Sequence, residues 1–219
     1  MRSIVSPALL LALASSAAAG EGKIRLFNGK DLTGWTYFLE KKGTNADGSK
    51  KMADVWSADA ERGVIRCSGT PNGYIRSTGD YTSFVLRLEW RWPEKPGNSG
   101  VLLRMVGEDK VWPRSVEAQL QSGNAGDFWL IEGAALDTDP ARVDPERPRH
   151  RLRTKTNEKP IGEWNEYEIT FDGDRVVLKV NGDVLNEGTG AEVVAGKICL
   201  QSEGAPIEFR NIRLTPTAR

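Results

Sequence analysis

The chain is poor in the residues that most often announce a site. Its 219 residues include one histidine, His150, and two cysteines, Cys67 and Cys199. Without a CxxC pair or a close Cys/His set, a structural zinc site and a histidine-based triad both fall away. Two cysteines are no disulfide framework. In an oxidising compartment Cys67 and Cys199 can make one bridge at most, so the core must carry stability. Excess charge is lacking too, with 30 Lys+Arg against 30 Asp+Glu. A nucleic-acid binder needs a net basic face to displace counterions from phosphates, so nucleic acid is not an expected partner. There is no Gly-x-Ser-x-Gly elbow and no phosphate-binding glycine loop. Helical periodicity is scarcely visible.

The one sustained apolar run is at the start. Arg2 precedes Ile4 to Ala14, broken only by Ser6 and Pro7, and Ala17-Ala18-Ala19 closes it with small residues. This pattern predicts a secretory signal peptide over residues 1–19, cleaved near Ala19, and a secreted or periplasmic protein. The run is too short to span a bilayer as a helix, and no cysteine follows for lipid attachment, so no membrane anchor is expected.

From residue 20 onward short runs of period-two alternation are separated by Gly, Asn, Asp and Pro, predicting one all-β domain over 20–219. In Thr82 to Trp92, residues Phe84, Leu86, Leu88, Trp90 and Trp92 share a face opposite Val85, Arg87, Glu89 and Arg91. Gly100 to Val106 sets Val101, Leu103 and Met105 against Leu102 and Arg104, and Ser115 to Gln121 sets Val116, Ala118 and Leu120 against Glu117, Gln119 and Gln121. Further strands are expected at Trp164 to Phe171, Arg175 to Val180, Lys197 to Glu203 and Ile207 to Leu214. Asp172-Gly173-Asp174 and Asn181-Gly182 mark hairpin turns. A bulge is expected in the last strand, because Ile207 and Phe209 share a phase that Ile212 and Leu214 do not. About ten to twelve such strands without repeats predict two antiparallel sheets packed as a sandwich. Trp35, Trp56, Trp90 and Trp164 are expected in the core.

Two segments stand outside the alternation. Leu136 to Pro160 carries Pro140, Pro145, Pro148 and Pro160 among charged residues and reads as a long surface excursion. Glu40 to Lys51 reads as a second polar loop. Either could wall a cleft or merely connect strands. Within them, Asn45-Ala46-Asp47-Gly48-Ser49 is better explained as a turn than as a calcium loop, and Asp137, Asp139 and Asp144 as soluble loop.

Polar positions on one face of adjacent strands suggest where chemistry would lie. Glu89, Arg91, Arg104, Glu117, Gln119, Gln201 and Glu203 combine acids, guanidinium groups and amides, the set that grips sugar hydroxyls and moves protons. On spacing alone the same residues read more simply as solvent-facing strand residues in cross-strand ion pairs. Trp112 and Trp129, in or beside loops next to these strands, are candidate sugar-stacking rings, with core packing as the alternative.

The ordered series Leu26-Phe27-Asn28-Gly29-Lys30-Asp31-Leu32-Thr33-Gly34-Trp35, Leu88-Glu89-Trp90-Arg91, Asn98-Ser99-Gly100-Val101-Leu102-Leu103-Arg104, Trp112-Pro113 with Val116-Glu117-Ala118-Gln119, Gly126-Asp127, Gly162-Glu163-Trp164-Asn165, Val180-Asn181-Gly182, Leu200-Gln201-Ser202-Glu203-Gly204 and Glu208-Phe209-Arg210-Asn211-Ile212 resembles the 3-keto-disaccharide hydrolase family. The resemblance covers residues 24–214. It implies a concanavalin A-like, or laminin G-like, jelly roll acting on glycosides already oxidised at carbon 3. A ketone there acidifies the carbon 2 hydrogen, so a base can remove it and the carbon 1 oxygen can depart by elimination, with water then completing a net hydrolysis. On this footing Glu117 is the candidate base, Arg104 or a divalent cation the enolate partner, and Glu203 or Glu89 the acid. Gln119, Gln201, Arg91, Trp112 and Trp129 are the candidate sugar contacts. Ala118 replaces the family's usual aliphatic residue, and some members carry histidine where this chain has Glu203. The Glu-x-Asp-x-x-Glu spacing of jelly-roll glucanases is missing, which demotes an ordinary two-carboxylate glycosidase. A non-catalytic carbohydrate-binding module is the competing class, since jelly rolls host both.

Overall fold

The computed structural model describes residues 22–41 and 51–217. The expected signal peptide and most of the Glu40 to Lys51 loop, including Asn45 to Ser49, lie outside the described residues. Among those described, fifteen strands form two antiparallel sheets, with one short helix α1 (Met52–Val55) and one 3-10 turn (Pro140–Arg142).

The first sheet contains β1 (Ile24–Arg25), β3 (Trp56–Asp59), β4 (Val64–Cys67), β6 (Phe84–Arg91), β11 (Asn165–Asp172), β12 (Arg175–Val180), β13 (Asp183–Gly188) and β15 (Ile207–Pro216). They run in the order β13-β12-β11-β6-β15-β4-β3, with β1 on β15. The second contains β2 (Trp35–Leu39), β5 (Gly73–Ser77), β7 (Gly100–Met105), β8 (Ser115–Gln119), β9 (Phe128–Ile131), β10 (His150–Arg151) and β14 (Lys197–Ser202), ordered β10-β9-β8-β7-β14-β5-β2. The alternation read from the sequence sets the faces. Phe84, Leu86, Leu88 and Trp90 of β6 and Tyr167, Ile169 and Phe171 of β11 meet Val101, Leu103, Val116, Ala118, Ile198 and Leu200 from the opposite sheet in one core. Trp35, Trp56 and Trp90 are buried as expected.

Both turn signals close hairpins. Asp172 pairs with Arg175 across Gly173, and Val180 pairs with Asp183 across Asn181-Gly182, where both residues take positive φ. The bulge expected in the last strand lies between Arg210 and Arg213 on β15, with Asn211 at φ 55.

Two expectations, for Trp164 and for the phase of β7, are corrected, and the pairing of Cys67 with Cys199 that the sequence leaves open is answered. Trp164 is half-buried outside the core, with the guanidinium groups of Arg91 and Arg210 4.8 and 4.1 Å from its ring centroid. Cys67 and Cys199 are separate buried thiols, Cys67 in the core between the sheets and Cys199 in a second cluster with Tyr74, Leu102, Met105 and Ile131. The phase of β7 also changes at its end. Lys197 pairs with Met105 while Cys199 pairs with Leu102, so β7 carries an extra residue, and Arg104 absorbs it at φ 50. The bulge turns Met105 to the outer cluster and Arg104 away from it.

Candidate functional site

The outer face of the second sheet holds a pocket of about 190 Å³ lined by Asn98, Trp112, Glu117, Gln119, Gln121, Trp129, Ile131, Arg149 and Glu203. Strand register explains how. Glu117 lies cross-strand from Leu102 on β7 and from Trp129 on β9, and Trp129 in turn pairs with His150 on β10. Gly100 pairs with Gln119. Just before β7, the Asn98 backbone bridges to Glu203, bringing the Asn98 side chain beside that carboxyl. The core-facing alternation of β8 and β14 thus puts Glu117, Gln119 and Gln201 on the opposite face, as the sequence pattern predicts.

Glu117 is 4% exposed. Its carboxyl and the Gln201 amide fold over the bare backbone of Gly100, where any side chain would collide with both. Burial pushes the Glu117 pKa well above the usual carboxylate range, the charge of Glu203 pushes it further, and the Arg149 guanidinium opposes them. Burial raises Glu203 to about 7 against a hydrogen bond from Asn98. Two carboxyl groups are thus desolvated in one pocket, and burial favours the protonated form of each. Both polar atoms of the Gln201 amide and the Asn98 Oδ1 are buried without a partner. Buried polar groups are rarely left unsatisfied, so three such atoms beside a pocket mark a seat for polar groups of a ligand. Gln119 is better satisfied: its Oε1 accepts from the backbone N–H groups of Leu120 and Gln121 at 2.8 Å each.

Trp112 is 42% exposed on the wall, so its ring is free to meet a ligand. Its loop is tied down by Asp109, which accepts from the Tyr74 hydroxyl at 2.7 Å and from Arg76. Trp129 gives one ring face to His150, stacked at 4.2 Å.

The structure brings together Glu117, Glu203, Gln119, Gln201, Trp112 and Trp129, and it separates the other sequence candidates from them. The Arg104 guanidinium donates to the carbonyls of Thr82, Glu192 and Gly173 at 2.6–2.7 Å and lies 3.6 Å from the Phe171 ring centroid. The bulge has made it a clamp between chain segments, away from the pocket. Glu89 and Arg91 belong to the outer face of the other sheet. There Glu89 accepts from Arg210 and Asn211, and Arg91 donates to Glu208. Those two are the cross-strand ion pairs that spacing alone favoured.

The residues missed by the sequence reading are Arg149, Asn98, Gln121 and Ile131. Arg149 came from the Leu136 to Pro160 excursion, recognised as a possible wall, but nothing local distinguished it from the neighbouring arginines. Asn98 stood within the Asn98-Ser99-Gly100 series without a role. Asp144, read as soluble loop, is buried against His150. Among the described residues no three His, Cys, Asp or Glu side chains are placed to hold a metal ion. Glu117 and Glu203 are the pocket's two carboxyls, short of the oxygen ligand set a divalent cation calls for. Among the described residues no helix is long and apolar enough to cross a membrane.

Comparison with known proteins places these features in context. The family model described as a 3-keto-alpha-glucoside-1,2-lyase-like domain matches residues 22–215. A Parabacteroides distasonis protein named as a candidate glycosyl hydrolase is 24% identical, with a TM-score of 0.63 over 90% of this chain and 94% of its own. The β-glucanase of Bacillus licheniformis is 13% identical, with a TM-score of 0.54 over 92% of this chain and 100% of its own. A carbohydrate-binding module from Bacillus subtilis is 11% identical, with a TM-score of 0.51 over 82% of this chain and 94% of its own. These solved structures share the jelly-roll fold. No curated protein sequence matches the chain.

Proposed function

Because the chain belongs to the 3-keto-alpha-glucoside-1,2-lyase-like family, we propose that its outer-face pocket cleaves 3-keto-glycosides by elimination across carbons 1 and 2. The observation that carries this reading is the pair of desolvated carboxyls, Glu117 and Glu203, facing one pocket with pKa values raised by burial. A sugar-binding surface gains nothing from such a pair. An elimination needs it, because one group must take a proton from carbon while another gives one to the departing oxygen.

The environments divide the roles. Glu203, at about 7, ionises first and is the base. Glu117, more deeply buried, keeps its proton and is the acid. This exchanges the roles that resemblance alone suggested. Glu203 removes the carbon 2 proton, and the electron pair passes into an enolate whose charge rests on the carbon 3 oxygen. Arg149, permanently charged and already in the electrostatic field of Glu117, takes the enolate role first given to Arg104. The pair then returns to form the carbon 1–carbon 2 double bond as the carbon 1–oxygen bond breaks, and the leaving oxygen takes the Glu117 proton. Addition of water across that double bond gives the free 3-keto sugar. Gln201 and Asn98, with unpartnered buried amide atoms, hold sugar hydroxyls, and Trp112 offers an apolar ring to the substrate.

Incubation with a 3-keto-glucoside and its unoxidised parent in deuterated water, followed by NMR, tests this directly. The expected result is cleavage of the keto compound alone, with deuterium at carbon 2 of the hydrated product. Equal cleavage of the parent would make the protein an ordinary glycosidase, and saturable binding without product would make it a carbohydrate-binding module. The signal peptide reading supports action outside the cytoplasm, which fractionation of producing cells tests.

A further inference from the structure

The excursion that carries Arg149 to the pocket has almost nothing apolar to hold it. Between Leu136 and Asn165, all described, the buried residues are Asp144 and His150. Its regular structure amounts to one 3-10 turn and the two residues of β10. A segment that buries no apolar side chain must be fixed by polar bonds; several tie it to neighbouring segments through Asp137, Arg153, Thr154 and Asn157, and the buried ones beside Arg149 meet at one imidazole. His150 is 5% exposed. Its Nε2 lies 2.8 Å from Asp127 Oδ2, at the start of β9, and its Nδ1 lies 3.0 Å from Asp144 Oδ2, within the excursion.

The other partners of the two aspartates are all donors. Asp127 Oδ1 accepts from the Arg153 backbone N–H at 2.8 Å and from its guanidinium at 3.0 Å. Asp144 accepts from the backbone N–H groups of Glu146 and Arg147 and from the Arg147 guanidinium. An ionised carboxylate only accepts, so each nitrogen of the ring has an acceptor before it, and donation to both takes a hydrogen on each. The imidazole face stacks on Trp129 with the planes 8° apart, and the Arg149 guanidinium stands 5.6 Å from the same indole. The Arg149 carbonyl accepts from Leu130 N–H at 2.8 Å, which pins the backbone just ahead of the imidazole.

We propose that the Asp127–His150–Asp144 bridge, with His150 doubly protonated, is the positioning device of this pocket, setting Arg149 and Trp129 against Glu117. The inference rests on the reading of the pocket as a lyase site. His150 touches no substrate. It joins β9 to the excursion through ion pairs whose directions are fixed, and it holds the indole flat between the bridge and the pocket. Arg149 is thereby presented from a segment that otherwise lacks a core of its own. A simple structural clip would also join these segments, but its loss would weaken every function of the pocket independently of Arg149.

Two measurements separate these cases. In the intact protein, nitrogen-15 NMR at neutral pH is expected to show both His150 ring nitrogens bearing protons; a bare ring nitrogen overturns the proposal. A double-mutant cycle then asks whether His150 acts through Arg149. His150→Phe keeps a ring against Trp129 and removes the bridge, and it is expected to lower kcat about 10- to 100-fold with KM changed less than about 3-fold. In an Arg149→Met background the same change is expected to cost less than about 2-fold, because its target is already gone. Multiplicative losses overturn the proposal. If His150→Phe does not fold, Asp144→Asn, which keeps the imidazole and removes one carboxylate, goes through the same cycle with the same expectation. If the wild-type protein turns over no 3-keto-glucoside, the lyase reading fails. The bridge is then judged by the NMR result and by the cycle run on affinity for that compound.

Discussion

Replacing Gly100 with alanine tests the architecture of the pocket at a single methyl group. A Cβ at residue 100 would stand 2.9 Å from Glu117 Cδ and nearer still to Oε1 of both Glu117 and Gln201. Carbon and oxygen rest at roughly 3.3–3.6 Å, so each side-chain tip must withdraw by about 1 Å. Both are the far ends of flexible side chains, and the φ of Gly100 lies outside the left-handed region. The cost to folding should therefore sit at the low end of the overpacking range, about 1 kcal/mol. A displacement of about 1 Å at a reacting group costs on the order of 100-fold in rate. Gly100→Ala is therefore expected to melt within a few degrees of the wild-type protein and to lose about 100-fold in kcat on a 3-keto-glucoside. The assay is a progress curve by NMR beside a thermal melt. A folded variant with wild-type turnover would refute the placement of Glu117 and Gln201 at the reacting atoms.

Four further outcomes are expected. Glu203→Gln and Glu117→Gln should each lower kcat by about 10²- to 10⁴-fold, the usual worth of a general acid or base, whereas Glu89→Gln should leave turnover unchanged in the same assay. Activity and stability should move oppositely with pH. Burial raises the Glu203 carboxyl from its ordinary 4.5 to about 7, so kcat/KM should rise as pH climbs through 7. Stability from this group is fully present below the unfolded value and is lost as pH rises through the folded one; chemical denaturation at pH 5 and pH 8 checks the sign. Asp144 is held down to about 2, first by its hydrogen bond to His150, so its contribution is present above the unfolded value and lost as pH falls toward 2, measurable as acid unfolding weakened by Asp144→Asn. Arg104→Met should lower stability by about 3 kcal/mol by breaking charged hydrogen bonds to three carbonyls, while KM stays within a few-fold of wild type.

Much of the sandwich is legible in the sequence because burial of one face per strand imposes a period of two. Phe84 to Trp90 and Val116 to Leu120 show that period without interruption, and Asn181-Gly182 names its turn by the positive φ that both residues accept. The same period puts Glu117 and Gln119 on the face opposite the core. It fails at Arg104, where the extra residue in β7 reverses the phase, and no local signal announces that bulge as the phase break in β15 does. It also cannot tell one outer face from another. Glu89 and Glu117 look alike as acids between apolar residues, yet they lie on opposite sheets, Glu89 among Arg210 and Asn211 and Glu117 beside Glu203.

Alternation, turn chemistry and the ordered motif series thus determined by themselves the class of fold, the family and the strands that supply the acids and amides. Those properties are local, written within a few residues of where they act. Tertiary structure alone decided which acids meet, which arginine faces them and what holds that arginine. Glu117 and Glu203 are far apart along the chain, and their raised pKa values arise from desolvation in a pocket that neither strand makes alone. Arg149 reaches that pocket because Asp127 and Asp144, on separate segments, close on the two nitrogens of His150, and a bond between distant segments exists only once both sheets and the excursion have been packed.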